Sequence, residues 1–378
     1  MPKEIPNRYA MDQRRFGRTE LKLGVFSLGT MRCLGSPQIM AATVNRALDL
    51  GINHLETAPS YGKSEVYLGQ VLKNIPRQRF FLTSKVLPVD NFAEIVTQSL
   101  KRLGVDYLDC LAIHGINTFE HLQWVEKNYP ALMALKAAGK FRHLGFSSHG
   151  SLELVLATLQ TQFFAFANLH YYYFDQRLAP AIALAHQLDL GIFIISPADK
   201  GGQLHTPPPS LENLCQPLSP LELGYRFLLS DPRITTLSWG ATHPGELEPV
   251  HLWGQRTQTL SIAEEAILES LQRELEQKLG AELCRQCYAC LPCPELIPIP
   301  TLLRLRNLAM AYDMNGFAQY RYQMLERAGH WFPGRRGDRC TDCGDCLPRC
   351  PQQLNIPALV KDAHRRFQGP QGRRLWEL

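Results

Sequence analysis

Eight of the eleven cysteines of this 378-residue chain fall in two blocks: Cys284, Cys287, Cys290 and Cys293 before Pro294, then Cys340, Cys343, Cys346 and Cys350 before Pro351. The second block reads C-x2-C-x2-C-x3-C-P. Thiolates at that spacing hold 4Fe-4S clusters, three gripping one cluster while the fourth reaches across to another. In the first block only Leu291 and Pro292 separate Cys290 from Cys293, so its fourth thiol comes one residue early. Two C-x2-C pairs also suit a tetrahedral zinc ion, but four cysteines in each block would leave zinc with surplus thiols. The pattern predicts two 4Fe-4S clusters. Cross-ligation gives Cys284, Cys287, Cys290 and Cys350 to one, and Cys340, Cys343, Cys346 and Cys293 to the other. Cys110 reads as a core thiol, and Cys33 and Cys215 as loop thiols.

Disulfides do not fit, because Met1 to Arg18 is polar and basic with no apolar run of a secretory signal. A reducing cytoplasm is the expected compartment. No stretch approaches the ~20 apolar residues that span a bilayer, so a membrane role is not expected. Nucleic-acid binding has no motif behind it. The formal charge of +5 is mild, yet Arg335, Arg336, Arg339, Arg349, Arg365, Arg366, Arg373 and Arg374 crowd the C-terminal part. Such a run is either a solvated face or a docking surface for an acidic electron-carrier protein.

What positions this chemistry is a repeat of elements. With 45% hydrophobic residues the chain can bury a large core and a smaller appendage. From Leu23 to Gly280, short apolar runs alternate with amphipathic stretches at about 30-residue spacing, the period of βα units. The runs near 24 to 30, 53 to 58, 80 to 86, 107 to 113, 142 to 147, 164 to 170, 191 to 197 and 234 to 240 predict eight strands. Helical patterns lie between them, with Gly51 and Gly104 placed as caps. Eight strands with crossovers predict an α/β fold, a closed (β/α)8 TIM barrel over residues 14–280. The proline-rich segment from Gly201 to Pro220 reads as a loop without secondary structure. A helix near Glu246 to Leu252 and another from Ser261 to Leu279 precede the cysteines. From 281 to 378 the composition shifts to a small, mainly helical iron–sulfur domain, with helices expected at 301–312 and 317–328.

Barrels of this kind gather their chemistry at the strand C-termini. Glu56 and Tyr61 follow the second strand, Lys85 ends the third and His114 ends the fourth. Asn53-His54-Leu55-Glu56-Thr57-Ala58-Pro59-Ser60-Tyr61-Gly62 resembles the second-strand signature of aldo/keto reductases. Leu82-Thr83-Ser84-Lys85, Ala112-Ile113-His114-Gly115 and Gly145-Phe146-Ser147-Ser148-His149 are similar to further segments of that family. The cysteine domain resembles the ferredoxin-like appendage of one of its branches.

The resemblance implies NAD(P)H-dependent reduction of a small carbonyl substrate, with NADP(H) or NAD(H) as hydride donor. Tyr61 would supply the proton, Lys85 would favour its phenolate, Glu56 would hold Lys85, and His114 would orient the carbonyl. Gly29, Thr30, Ser147, Ser148, Asn168, Ser196, Lys200, Gly201, Gly202, Gly240 and Thr242 would surround the cofactor. The chain departs from the family pattern at Glu56, where an aspartate is usual, and at Ile195, where many members stack an aromatic ring. It also lacks the arginine and the Glu-Asn pair expected after strand eight. Two other readings stay open: an electron-transfer or redox-sensing protein whose barrel is a docking scaffold, and a reductase whose cysteine domain only binds zinc.

Overall fold

The computed structural model of the protein describes residues 11–369. A short antiparallel pair, β1 (Gln13–Arg15) and β2 (Lys22–Gly24), comes first. Eight parallel strands then close into a barrel: β3 (Phe26–Gly29), β4 (His54–Glu56), β5 (Phe81–Val86), β6 (Leu108–His114), β7 (Phe141–Ser147), β8 (Phe166–Leu169), β9 (Gly191–Ile194) and β10 (Thr236–Trp239), with β10 pairing back onto β3. The eight-stranded barrel that the spacing predicts is the one observed. Its strands read as near-continuous buried runs, as strands covered on both faces must; all seven residues of β6 are buried.

The crossover helices carry the expected punctuation. Ser36 caps α1 (Pro37–Asp49) by accepting from the Ile39 N–H, and Ser151 caps α5 (Leu152–Gln160) likewise at Leu154. Gly104 ends α3 (Phe92–Leu103) in the left-handed conformation, at φ +66°.

The N-terminal hairpin shows no strand pattern in the sequence, yet it closes the end of the barrel away from Lys85 and His114. Phe16, fully buried at its turn, packs 5.3 Å from the Phe166 ring and joins Leu23, Cys110, Ala112 and Phe193 in one cluster. A Cβ on Gly191 would stand 2.2 Å from the Phe16 ring, so only glycine at the start of β9 admits it.

The chain divides into two compact units that do not follow chain order. One holds residues up to Pro197 with Tyr225–Thr259; the other holds Ala198–Gly224 with residues from Leu260 onward. Where the sequence reading divides the chain at 280, the structure groups the segment after β9 and α10 (Ile262–Leu279) with the cysteine blocks. Specific contacts hold that grouping together: α7 (Pro209–Cys215) packs on α10, Ser210 Oγ donates to the Tyr312 carbonyl at 2.9 Å, and the Tyr312 hydroxyl donates to the Leu271 carbonyl at 2.7 Å.

Helix α7 corrects the expectation of a structureless loop. Proline is tolerated in a first helical turn, where its missing N–H costs nothing, and Leu211 and Cys215 bury one face. A capping box of Ser261 and Glu264 starts α10. Helices α11 (Ile299–Tyr312) and α12 (Asn315–Tyr322) separate the two cysteine blocks, and α13 (Ile356–Phe367) follows the second. The pattern read as helix to 328 gives way to turns after Tyr322. Among the described residues no helix is long and apolar enough to cross a membrane.

Removing the Phe16 ring leaves a cavity that the surrounding strands cannot fill. Phe16→Ala is expected to cost about 3–5 kcal/mol, read as a lowered urea midpoint of the barrel's unfolding. A midpoint within error of the parent would show that the ring is not a structural plug.

Candidate active site and thiol blocks

Strand register decides which side chains meet. Gly29 stands opposite Glu56, and His114, Ser147 and Asn168 align across β6, β7 and β8. Lys85 is 3% exposed and Glu56 4%; the two form a buried ion pair. From the same position Lys85 Nζ donates to the Tyr61 hydroxyl at 2.9 Å and reaches the Thr57 carbonyl at 3.5 Å. His114 meets Tyr61 edge to face, ring centroids 5.7 Å apart, with its Nδ1 3.4 Å from Ser60 Oγ. The four residues singled out as catalytic therefore form one contiguous group. Burial pushes the Tyr61 phenol up, so it keeps its proton at neutral pH. The Lys85 cation beside it favours the phenolate.

Asn168 is fully buried, and neither its amide nitrogen nor its carbonyl oxygen has a hydrogen-bond partner. An amide so placed is costly unless something pairs with it, and a carboxamide, with one donor and one acceptor, is its chemical complement. The neighbouring hydroxyls are spent inward. Ser147 Oγ accepts from the Gly115 N–H at 3.0 Å, while Ser148 Oγ donates to the Ile116 carbonyl at 2.6 Å and accepts from the Gly150 N–H. Thr30 Oγ1 lies 3.0 Å from the Glu56 carbonyl and 2.7 Å from Ser64 Oγ.

Gly240 and Thr242 sit in the turn after β10, where Thr242 is held by Glu246. Ser196 lies just beyond β9 with φ +51°. Lys200, Gly201 and Gly202 belong to the other compact unit. There burial, despite a part of Lys200 that reaches the surface, pushes its amine down to about 7; Arg321 adds to this and Asp199 opposes it.

The sequence reading quotes His54 but gives it no role. Two residues before Glu56 on β4, it shares that residue's inward face. Its Nδ1 lies 2.7 Å from Ser27 Oγ and its Nε2 2.7 Å from Thr83 Oγ1. Ser27 in turn meets Thr236 Oγ1 at 2.8 Å, and Thr236 donates to the Gly24 carbonyl. Because Thr236 gives its proton away, Ser27 donates to it and accepts from His54 Nδ1–H. Burial, with the Lys85 charge, pushes the ring's pKa down to about 3, so it is neutral at ordinary pH and its other nitrogen accepts from Thr83.

In the second unit the two cysteine blocks share one backbone shape. Gln286 and Tyr288 flank Cys287 with φ +54° and +63°; Asp342 and Gly344 flank Cys343 with φ +56° and +81°. Exposure repeats as well: Cys287 and Cys343 are exposed, Cys290 and Cys346 buried, and the outer thiols intermediate. The one-residue difference thus falls between the third and fourth cysteines and leaves the first three alike.

Fourth thiols lie by the opposite block. Burial raises the Cys284 thiol, and Cys287 and Cys350 stand close enough to raise it further. Burial likewise raises Cys346, with Cys340, Cys343 and Cys293 adding to it. One cleft is lined by Cys293, Cys340, Cys343 and Cys346 together. Among the described residues no three Cys, His or acidic side chains converge as a single ion needs; a cubane asks instead for thiolates spread around it, one to each iron.

The arginines nearby are largely engaged. Arg335 and Arg339 face Glu326, Arg349 donates to the Asp345 and Pro292 carbonyls, and Arg365 and Arg366 face Asp362. Arg373 and Arg374 lie outside the described residues.

Residues 20–204 match the profile of the Aldo/keto reductase family, and residues 283–355 match that of the 4Fe-4S dicluster domain. An NADH-specific methylglyoxal reductase of Escherichia coli is 30% identical over 184 residues, covering 37% of this chain and 56% of that protein. An L-galactose dehydrogenase of Arabidopsis thaliana is 32% identical over 154 residues, covering 36% and 48%. The chain thus spans about half the length of these relatives. An aldo-keto reductase of Bacillus halodurans in its holo form superposes with a TM-score of 0.61 at 22% identity, covering 68% of this chain and 95% of that one. One from Klebsiella pneumoniae in complex with NADPH gives 0.55 at 22%, covering 69% and 95%. At such identities the likeness concerns the fold.

The polar network predicts a pH dependence. Unfolded, His54 gains a proton near its ordinary value of 6.5; folded, it gains one only near 3. Between these the unfolded chain binds more protons, so His54's contribution is complete above about pH 6.5 and is lost as pH falls, at up to about 1.4 kcal/mol per unit. His54→Gln is expected to flatten the acid side of the stability curve, measured by urea unfolding between about pH 7 and 4.5. An unaltered slope would mean that the folded state already holds the proton.

Proposed function

We propose that this chain, which carries an aldo/keto reductase domain followed by a 4Fe-4S dicluster domain, is an oxidoreductase that reduces a small carbonyl with Tyr61 as proton donor, and that its cysteine blocks hold two clusters. The observation that carries the reading is Lys85, ion-paired with Glu56 while donating to the Tyr61 hydroxyl. When bound, a reduced nicotinamide supplies a hydride to the carbonyl carbon.

The chain's own residues handle the proton and the charge. Tyr61 gives its phenolic proton to the carbonyl oxygen, and Lys85 stabilises the phenolate left behind. Glu56 neutralises Lys85 and keeps it in reach. His114 donates to the same oxygen and fixes which face of the carbonyl is presented. Asn168, with both polar atoms unpartnered, supports a role in holding the carboxamide of the cofactor. The name of the Escherichia coli relative, an NADH-specific methylglyoxal reductase, favours small carbonyl compounds as the substrate class.

For the thiol blocks, Cys293 lining one cleft together with Cys340, Cys343 and Cys346 supports cross-ligation. Two bound clusters would carry single electrons, to or from a one-electron carrier protein.

Two measurements test this. Tyr61→Phe is expected to lower kcat for carbonyl reduction by about 10²- to 10⁴-fold with little change in cofactor affinity; turnover equal to the parent would remove Tyr61 from its role. Protein prepared without oxygen should contain about eight irons and eight sulfides per chain. Cys293→Ala and Cys350→Ala should each disturb the spectrum of a different cluster, whereas stoichiometric zinc without sulfide would defeat the cluster reading.

A further inference from the structure

Arg349, the residue before the last cysteine of the second block, bridges the two thiol blocks. Its Nη2 donates to the Pro292 carbonyl at 3.0 Å and its Nε to the Asp345 carbonyl at 2.8 Å. Pro292 directly precedes Cys293 and Asp345 directly precedes Cys346, so one guanidinium ties the backbone beside two thiols of opposite blocks. A planar fork with separate donors suits such a pair of carbonyls. The same side chain lines the cleft that Cys293, Cys340, Cys343 and Cys346 share. Both of its bonds end on carbonyl oxygens, which leave its charge whole. Other charges close by are paired: Glu295, in the same cleft wall, lies 3.5 Å from Arg335, and Asp342 pairs with Lys361. Asp345 also borders the cleft but is exposed, where water screens its carboxylate. The first block has no counterpart to this cation. Before its fourth cysteine stands Pro292, uncharged and without an N–H, and Arg285, next to Cys284, faces Glu276 at 3.4 Å.

We propose that Arg349 makes the two clusters unequal, so that the one held by Cys293, Cys340, Cys343 and Cys346 accepts an electron at the higher potential. The inference rests on the cross-ligated clusters read above and deepens that reading. A cluster held by four thiolates is already anionic. Its reduction adds one electron, drawn from a one-electron donor such as a reduced carrier protein, and neither makes nor breaks a bond. A fixed cation in the cleft wall favours the more negative form, and net charge is among the levers that set cluster potentials. An electron entering the pair therefore settles first on the cluster beside Arg349.

The test is a potentiometric titration with dithionite of the full chain prepared without oxygen, each reduced cluster followed by electron paramagnetic resonance and iron and sulfide measured in every sample. The parent should show two one-electron steps separated by about 59 mV or more, a tenfold difference in the ratio of reduced to oxidised cluster. Arg349→Gln keeps amide donors on a neutral side chain; it should lower the upper step by about the same tenfold and leave the lower step in place. Arg349→Lys keeps the charge without the fork and should hold the upper step within about threefold of the parent ratio. It decides the matter if Arg349→Gln loses iron. Coincident steps in the parent, an upper step unmoved by Arg349→Gln, a shift of the lower step instead, or an upper step lowered as far by Arg349→Lys would overturn the inference and leave the two-cluster reading intact. A parent without iron and sulfide would overturn that reading and this one with it.

Discussion

A cation buried in the mouth of the barrel is the constraint around which the catalytic end is built. An ammonium removed from water loses several kcal/mol of hydration even after relaxation, and only close, well-oriented partners return it. Lys85 obtains them from Glu56, from the Tyr61 hydroxyl and from the Thr57 carbonyl. Its neighbours follow from that choice. His54 stays neutral two residues from Glu56, because burial and the Lys85 charge both oppose a second cation there, and the hydroxyl relay that starts at the Gly24 carbonyl places its one proton on Nδ1. On the neighbouring strand it is Ser238 that requires Gly29: a Cβ there would approach Ser238 Oγ to 2.9 Å, whereas Glu56 Oε2, at 3.4 Å, would remain in ordinary contact. A group that pays for desolvation in this way is also poised to stabilise an anion formed beside it, which is what a phenolate requires.

The cysteine-bearing unit has a different task, holding two thiol blocks in place through buried polar groups. Its helices between the blocks tie both blocks to α13. Asn307 Nδ2 donates to the Cys284 carbonyl at 2.8 Å, and the adjacent Arg306, itself buried, pairs with Glu282 and with Asp362 on α13. The Tyr322 hydroxyl accepts from the Gly337 N–H at 2.9 Å, just before the second block, and lies 2.6 Å from His364 Nδ1 on α13. One helix thus serves each block, and a third joins the two. Ligands bound by the thiol blocks would add to this packing, since what binds only the folded unit contributes to its folding free energy.

Much of the fold was legible because a strand buried on both faces must be apolar throughout, and eight such runs at regular spacing admit few topologies. The catalytic group was legible because strand ends recur at a fixed place in the sequence. What escaped the sequence has physical reasons. The three-residue strands of the N-terminal hairpin are too short to show alternation, and what seats Phe16 is Gly191, far away in sequence. The proline cluster before Leu211 signals a break equally well as a helix start. Hydroxyls are ambiguous by nature: Thr30, Ser147 and Ser148 stand at the barrel rim where ligand contacts are expected, yet each hydroxyl bonds to neighbouring groups of the chain itself.

Glutamate at position 56 illustrates how a departure in sequence is read differently once geometry is known. By length alone, an added methylene moves a carboxylate by more than an ångström, enough to disturb a catalytic contact. The ion pair is nevertheless made, and Lys85 still reaches Tyr61 at hydrogen-bond distance. The longer side chain therefore shifts the question from whether Lys85 is anchored to how tightly. A buried lysine held from one side by a carboxylate and from the other by a phenol has little freedom to follow charge as it develops, and the strength of the first contact opposes the second. Closer pairing with Glu56 withdraws positive potential from the phenolate, and looser pairing lets Lys85 swing toward it. The positive potential that reaches Tyr61 is thus set by the balance of two contacts to one nitrogen, a balance that residue identity alone does not fix.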